Sequence, residues 1–464
     1  MKKNYQKKLA LAYIAAALAI VPAFGVGVST QVFAADPQLA ATQAPPALPA
    51  GATPSAPPQG QPGFNPPATV TQGTTVTNLT ENDSYKNRVY MSTGNDENAL
   101  RVTGAKVNLK DVGIHKNGGT SSNTEGGDFY GMNAAFLATD GAKVKIEKSE
   151  VTSSAQNGNG LFSYGKGTFI TAKDVNITTT GNNSGGIQTT GGASTTAQDL
   201  KIKTFGNSSA AIRSDRGGGT VRVKGGTYET AGSGSPAIYS TADIAVQDAT
   251  LQAAHSEGAV IEGKNKIALK DCTLEGAMDN VRVMGDKKLR EENVHTVMIY
   301  QSMSGDAEQG TSSFAMTGGR LISHHGDVFY VTNTDCTIEL NNVAIENLGA
   351  NGALLRVAGN SASRGWGKAG ANGGTAAVTA KKQNLEGDII VDSISKLDLT
   401  LAKSSDFTGA ITLTKNKDGQ RADAGVNLTI AKGATWNLTA DSTVTTLNNK
   451  GTINRNGHKL TILQ

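Results

Sequence analysis

Five aspartates recur at one point of a repeated pattern: Asp111, Asp174, Asp199, Asp248 and Asp271. Stacked carboxylates at a fixed spacing are the raw material of a cation site. However, Gly225, Gly318 and Asn342 fill the same column, and what Asp, Asn and Gly share is tight-turn geometry. The calcium-binding G-G-x-G-x-D nonapeptide is absent, so the column is read as a turn. Two cysteines, Cys272 and Cys336, raise the question of a disulfide. The repeat places them about three rungs apart, roughly 14 Å at about 4.8 Å per rung and beyond the ~7 Å Cα reach of an S–S bond. Cys272 is expected to be a small packing residue. Six scattered histidines and two cysteines make no zinc set. No metal, cofactor or catalytic site is expected from these residues.

The element that must position any site is the repeat itself. Between Thr168 and Leu274 one skeleton recurs five times: two apolar residues two apart, then Asp or Gly, two free positions and a third apolar residue. The copies are Ile170/Ala172/Asp174/Ile177, Thr195/Ala197/Asp199/Ile202, Val221/Val223/Gly225/Tyr228, Ile244/Val246/Asp248/Leu251 and Ile267/Leu269/Asp271/Leu274, with steps of 25, 26, 23 and 23 residues. Such a period marks a solenoid. Each copy carries a further short run at a near-fixed offset: Gly185-Gly186-Ile187, Ala210-Ala211-Ile212, Pro236-Ala237-Ile238 and Gly258-Ala259-Val260. Alternating apolar and polar positions over four to six residues read as half-buried strands, joined by Gly/Asn/Ser turns. A coil this short has no room for helices and buries its inward residues only by stacking on neighbours with parallel pairing. The fold predicted is all-β, a right-handed parallel β-helix. Ile177, Ile202, Leu251, Leu274 and Ile345 should point inward.

Ahead of the repeat lie two segments of different character. Lys2, Lys3, Lys7 and Lys8 precede an apolar run from Leu9 to Val28, and Val32-Phe33-Ala34 offers small residues to a signal peptidase, so residues 1–34 read as a leader cleaved after Ala34. No membrane span is expected once it is removed. Residues 35–68 hold ten of the twelve prolines, the composition of an extended spacer. The whole chain is +4, but the leader accounts for four lysines and no acid, so the remainder balances at 39 basic against 39 acidic residues. A nucleic-acid partner would need a basic patch and none stands out.

The body runs from 69 to 383 as β-helix, with a distinct C-terminal segment at 384–464. Val107/Leu109/Asp111/Ile114 and Val144/Ile146/Lys148/Val151 fit the skeleton with a 37-residue step, implying an insertion at Asn117–Gly131. The 47-residue step from Asp271 to Gly318 is near two periods, so residues 285–310 read as one degenerate coil with a charged excursion, DKKLREEN. A second interruption at 358–383 is Gly/Ala-rich and carries Trp366, one of two tryptophans. Loops leaving a rigid scaffold are where binding concentrates. The candidate binding residues are therefore Asn117, Asp128 and Tyr130 in the first insertion and Arg364, Trp366 and Lys368 in the second.

In the last eighty residues the coils shorten and alternate strictly: Leu397/Leu399/Leu401, Val426/Leu428/Ile430, then G-A-T-W-N-L-T-A-D-S with Trp436 and Leu438, and Val444, Leu447 and Ile453. This block resembles the C-terminal end of autotransporter passenger domains, where such coils cap the β-helix and assist its folding. In that family a membrane β-barrel follows; this sequence ends at Gln464, which leaves release, retention by another molecule, or a translocator outside this sequence as the expectations. The body is similar in repeat style to pectin-lyase-like β-helices, some of which cleave polysaccharides with clustered carboxylates. Asn333-Thr334-Asp335 and His324-His325-Gly326 approach the N-T-D and G-H-G motifs of polygalacturonase-like enzymes, but in reversed order and without the Asp-Asp pair or the basic motif. Glycoside hydrolysis needs paired carboxylates on one face, and the mid-solenoid strand positions read as mainly Thr, Ala, Gly and Ser. The expectation is an exported, surface or secreted, adhesin-like binding and structural protein without catalytic activity. Its partner would be a host or environmental glycan or glycoprotein, or another cell-envelope component. The alternative is a polysaccharide lyase or glycoside hydrolase.

Overall fold

The computed structural model describes residues 69–284 and 286–464; the leader and the Pro-rich spacer lie outside the described residues. Successive copies of the repeat stack in register. Ile170 pairs with Thr195, Thr195 with Val221, Val221 with Ile244 and Ile244 with Ile267. The third skeleton position forms a second column in the same way, Ile177–Ile202–Tyr228–Leu251–Leu274. Both columns belong to one 22-stranded parallel sheet, and the short runs after the turns build a facing 13-stranded parallel sheet. The architecture is an all-β parallel β-helix. Its core is the continuous stack of inward residues, among them Ile177, Ile202, Leu251 and Leu274, all fully buried. Ile345 is half-buried and packs against that core.

The turn column has a backbone cause. Asp111, Asp174, Asp199, Asp248, Asp271 and Asn342 all sit at φ between 50° and 55°, with Gly225 at 70° and Gly318 at 64°. This left-handed conformation favours Gly, Asn and Asp, so one steric requirement per rung explains the composition of the column. Lys148 and Lys382 adopt it too, at φ 49° and 48°.

Three sequence expectations need correction. The 47-residue step is one coil, because Ile267 pairs directly with Phe314 and Leu274 with Leu321. The surplus chain leaves the stack as an antiparallel hairpin, Val281–Met284 with Lys287–Arg290, and as a loop after the strand His295–Tyr300. Period arithmetic cannot tell an inserted hairpin from a degenerate coil. It follows that Cys272 and Cys336 are two rungs apart, not three; both are free and buried. Finally, the Gly258-Ala259-Val260 copy is offset by one residue: Ile238 pairs with Ala259, so Val260 faces outward in the column of Tyr239.

The insertion at 117–131 contains a helix, Thr124–Tyr130, where a loop was expected. Asn123 caps it by accepting from Gly126 N, and Gly131 ends it at φ 76°. A Cβ on Gly131 would stand 2.8 Å from Leu137 Cδ1 and 3.0 Å from Phe162 Cγ, so glycine also permits the close approach to the stack.

From 384 the cross-section changes. A separate four-stranded parallel sheet opens there, formed by Asn384–Glu386, Asp406–Thr408, Thr435–Asn437 and Thr452–Asn454. Trp436 is fully buried, stacks on Phe407 at 5.9 Å and donates its Nε1–H to Gly409 O at 3.0 Å. No helix of the described residues is long and apolar enough to cross a membrane.

Candidate functional site

The outward positions of the 13-stranded sheet form one ladder: Phe162, Gln188, Arg213, Tyr239, Val260, Met298, Tyr330 and Arg356. The expectation of mainly Thr, Ala, Gly and Ser at mid-solenoid strand positions fails on this face. Large side chains stand there because excursions of the chain fold back over them. Val260, Met298, Tyr300 and Tyr330 form a second apolar cluster outside the solenoid, against which Tyr239 and Trp366 pack.

Three excursions far apart in sequence meet over this ladder. The helix Thr124–Tyr130 is anchored by Gln188 Nε2 donating to Asp128 O (2.9 Å), Thr190 Oγ1 donating to Phe129 O (2.7 Å) and Asn157 Nδ2 donating to Asp128 Oδ1 (2.8 Å). Arg216 lies over the Phe129 ring at 4.1 Å and reaches Asp306 in the loop after Tyr300, at 3.0 and 2.8 Å. Trp366 brings in the third excursion, its ring 4.8 Å from that of Tyr300 and beneath the Arg364 guanidinium. Together they enclose a cleft of about 320 Å³, with Asp128, Phe129, Asp306, Arg364 and Trp366 on its walls and Arg213, Asp215 and Tyr239 on its floor.

The cleft is built from charge pairs. Arg213 donates to Asp215 Oδ2 at 2.8 Å from Nη2 and 3.2 Å from Nε, while its Nη2 is 3.5 Å from Asp128 Oδ2. One guanidinium thus serves two carboxylates. Burial pushes the Asp215 carboxyl up to about 7; Arg213 pulls it down only in part, and Asp128 pushes it further up. On the adjoining wall Arg282 bonds Glu257 (2.8 Å) and Glu291 (2.7 Å), and Glu291 also accepts from Arg364 (2.7 Å). Burial alone would raise Glu257, but Arg282, His295 and the Ser256 hydroxyl hold it down at about 2. This chain of pairs ties the stack, the hairpin and the Trp366 loop together. Beside it Glu262 accepts from the hydroxyls of Tyr239, Tyr300 (3.0 Å) and Ser302.

The raised Asp215 pKa has a stability consequence. An acid whose folded pKa lies above its unfolded value of about 3.9 loses stability as pH rises from that value to the folded pKa, because only the unfolded chain releases the proton there. Asp215→Asn should flatten the stability profile between about pH 4 and 7. Denaturant midpoints across that range measure it; an unchanged slope would contradict the assignment.

Of the residues singled out from sequence, Asp128, Arg364 and Trp366 meet in the cleft. Tyr130 is buried beside it, edge-on to Tyr164 at 5.4 Å. Asn117 and Lys368 are exposed and do not line it. The N-T-D and H-H-G fragments take no part: Asp335 is exposed on the other sheet, and His324 and His325 bond Glu275 (2.6 Å) and Met278 O (3.0 Å). Sequence reasoning missed Arg213, Asp215, Arg216, Tyr239, Glu257, Arg282, Tyr300 and Asp306. For Arg213 and Tyr239 a signal existed, since each follows the Ile of its short run and so points outward. No family model, curated relative or solved structure matches this chain.

Proposed function

We propose that this is an exported, surface or secreted glycan-binding protein, akin to an autotransporter passenger, that binds carbohydrate in the mid-solenoid cleft. The observation that carries this reading is the convergence of three excursions on one concave site of about 320 Å³. That volume falls at the lower end of small-ligand sites, with a few convergent polar groups and aromatic walls. Tyr239, Tyr300 and Trp366 offer amphipathic surface to a pyranose ring, and the carboxylates and guanidinia offer planar acceptors and donors to its hydroxyls. Every guanidinium on the walls is already paired with a carboxylate, which suits an uncharged sugar better than a uronate. The leader and the passenger-like C-terminal block support export.

A second reading, glycoside hydrolysis, is favoured by one observation. Asp215, held near neutrality beside Asp128, has the pKa of a general acid poised at working pH.

The test is a panel of neutral, acidic and amino-sugar oligosaccharides, scored for both retention and cleavage. Retention without new reducing ends, weakened about tenfold or more by Trp366→Ala and untouched by Lys368→Ala, is the expected result. Turnover abolished by Asp215→Asn would establish the second reading. No retention of any member would overturn both.

A further inference from the structure

Behind the main cleft lies a smaller chamber of about 40 Å³, sharing Glu257, Arg282, Met298, Arg364 and Trp366 with it as a common wall. This is room for only a few heavy atoms. Its apolar surfaces are Met278, Met298, Tyr330 and the Trp366 ring. Its polar lining is mostly charge-paired, Arg282 and Arg364 with Glu257 and Glu291. The group left over is His295, whose side chain is 4% exposed and whose Nε2 has no hydrogen-bond partner among the described residues.

The chemistry of that nitrogen is fixed from behind. Asn293 Nδ2 donates to Asp327 Oδ2 (2.7 Å), which turns the Asn293 amide oxygen toward His295 Nδ1 at 2.9 Å. Nδ1 therefore carries the proton and Nε2, on a ring that lines the chamber, holds an unshared lone pair. The nearest charge, Glu257 Oε1 at 3.7 Å, is itself an acceptor and cannot satisfy it. Burial lowers the His295 pKa against the opposing pull of Glu257 and Glu291, which favours the uncharged ring. A buried acceptor without a donor is costly, so the chamber is matched to a ligand group that brings an N–H or O–H together with a small apolar end.

We propose that this chamber is a specificity subsite for the acetamido group of an N-acetylhexosamine. The amide N–H donates to His295 Nε2, the methyl packs against Met298 and Met278, and the carbonyl faces Arg364. The inference rests on the glycan-binding reading of the cleft and adds the class of sugar. A free ammonium in the same place would lack the methyl contact, and a plain hydroxyl would leave most of the chamber unfilled.

Calorimetry on the purified protein with triacetylchitotriose, fully deacetylated chitotriose and cellotriose decides the matter. The acetylated trisaccharide should bind at least tenfold more tightly than either of the others, and His295→Phe should bring that ratio close to one. In case the buried substitution unfolds the chain, saturation-transfer NMR on the unaltered protein gives an independent readout, with the acetyl methyl as the most strongly saturated ligand group. Cellotriose binding as tightly as triacetylchitotriose, or ring protons dominating the saturation, would overturn the subsite and leave the cleft reading intact. Failure of all three trisaccharides to bind would overturn the subsite, and the cleft reading falls with it only if no member of the wider oligosaccharide panel is retained.

Discussion

Leu269→Asp should destabilise the solenoid by about 4 kcal/mol or more, because it places an unpaired charge in a dry core. Leu269 is 3% exposed and pairs with Val246 on one side and Met316 on the other, in the middle of the inward stack. A carboxylate there has no cation within its column, and the rung cannot turn it outward without moving every side chain of the strand to the opposite face. Asn183→Asp is the control: its position is a turn at φ 54°, which aspartate tolerates, so the change should cost about 0.5 kcal/mol or less. Thermal or denaturant unfolding of the two variants separates them, and equal shifts would refute the inward assignment.

Arg282→Ala should cost roughly 3–5 kcal/mol at neutral pH, since it leaves Glu257 buried and unpaired. In the intact protein Glu257 has a folded pKa near 2, below its ordinary value, so its contribution is fully present above about pH 4.5 and is lost as pH falls through 2. In the variant the lone buried carboxylate is pushed the other way. The stability difference between the two proteins should therefore be largest at neutral pH and shrink toward zero by about pH 2. Because Arg282 also holds Glu291, and Glu291 holds Arg364, the hairpin and the Trp366 loop should become sensitive to protease at the same time. A difference that grows on acidification would contradict the network.

The fold was readable because its cause is periodic. A left-handed turn residue and two apolar columns recur every rung, and each recurrence repeats the same local steric demand, as the shared φ of Asp174, Asp199, Asp248 and Asp271 makes plain. The site was readable only in pieces. Asp128, Arg364 and Trp366 could be picked out because they lie on interruptions of the repeat. Their meeting depends on how far each interruption folds back along the stack, which no local pattern encodes. The hairpin carrying Arg282 was hidden for a different reason: its length, added to one coil, imitates a second coil. Glu257 and His295 gave no signal, because a buried charge in a regular rung is explained only by the partner an excursion brings to it.

On the proposed glycan-binding function, one ligand engages all three excursions at once. Hydrogen exchange with and without a saturating neutral oligosaccharide measures this directly. Slowed exchange should appear together in residues 124–130, 281–306 and 359–374, while turns on the opposite sheet, such as Asp271 and Asn342, stay unchanged. Protection confined to a single excursion, or spread evenly along the solenoid, would contradict it.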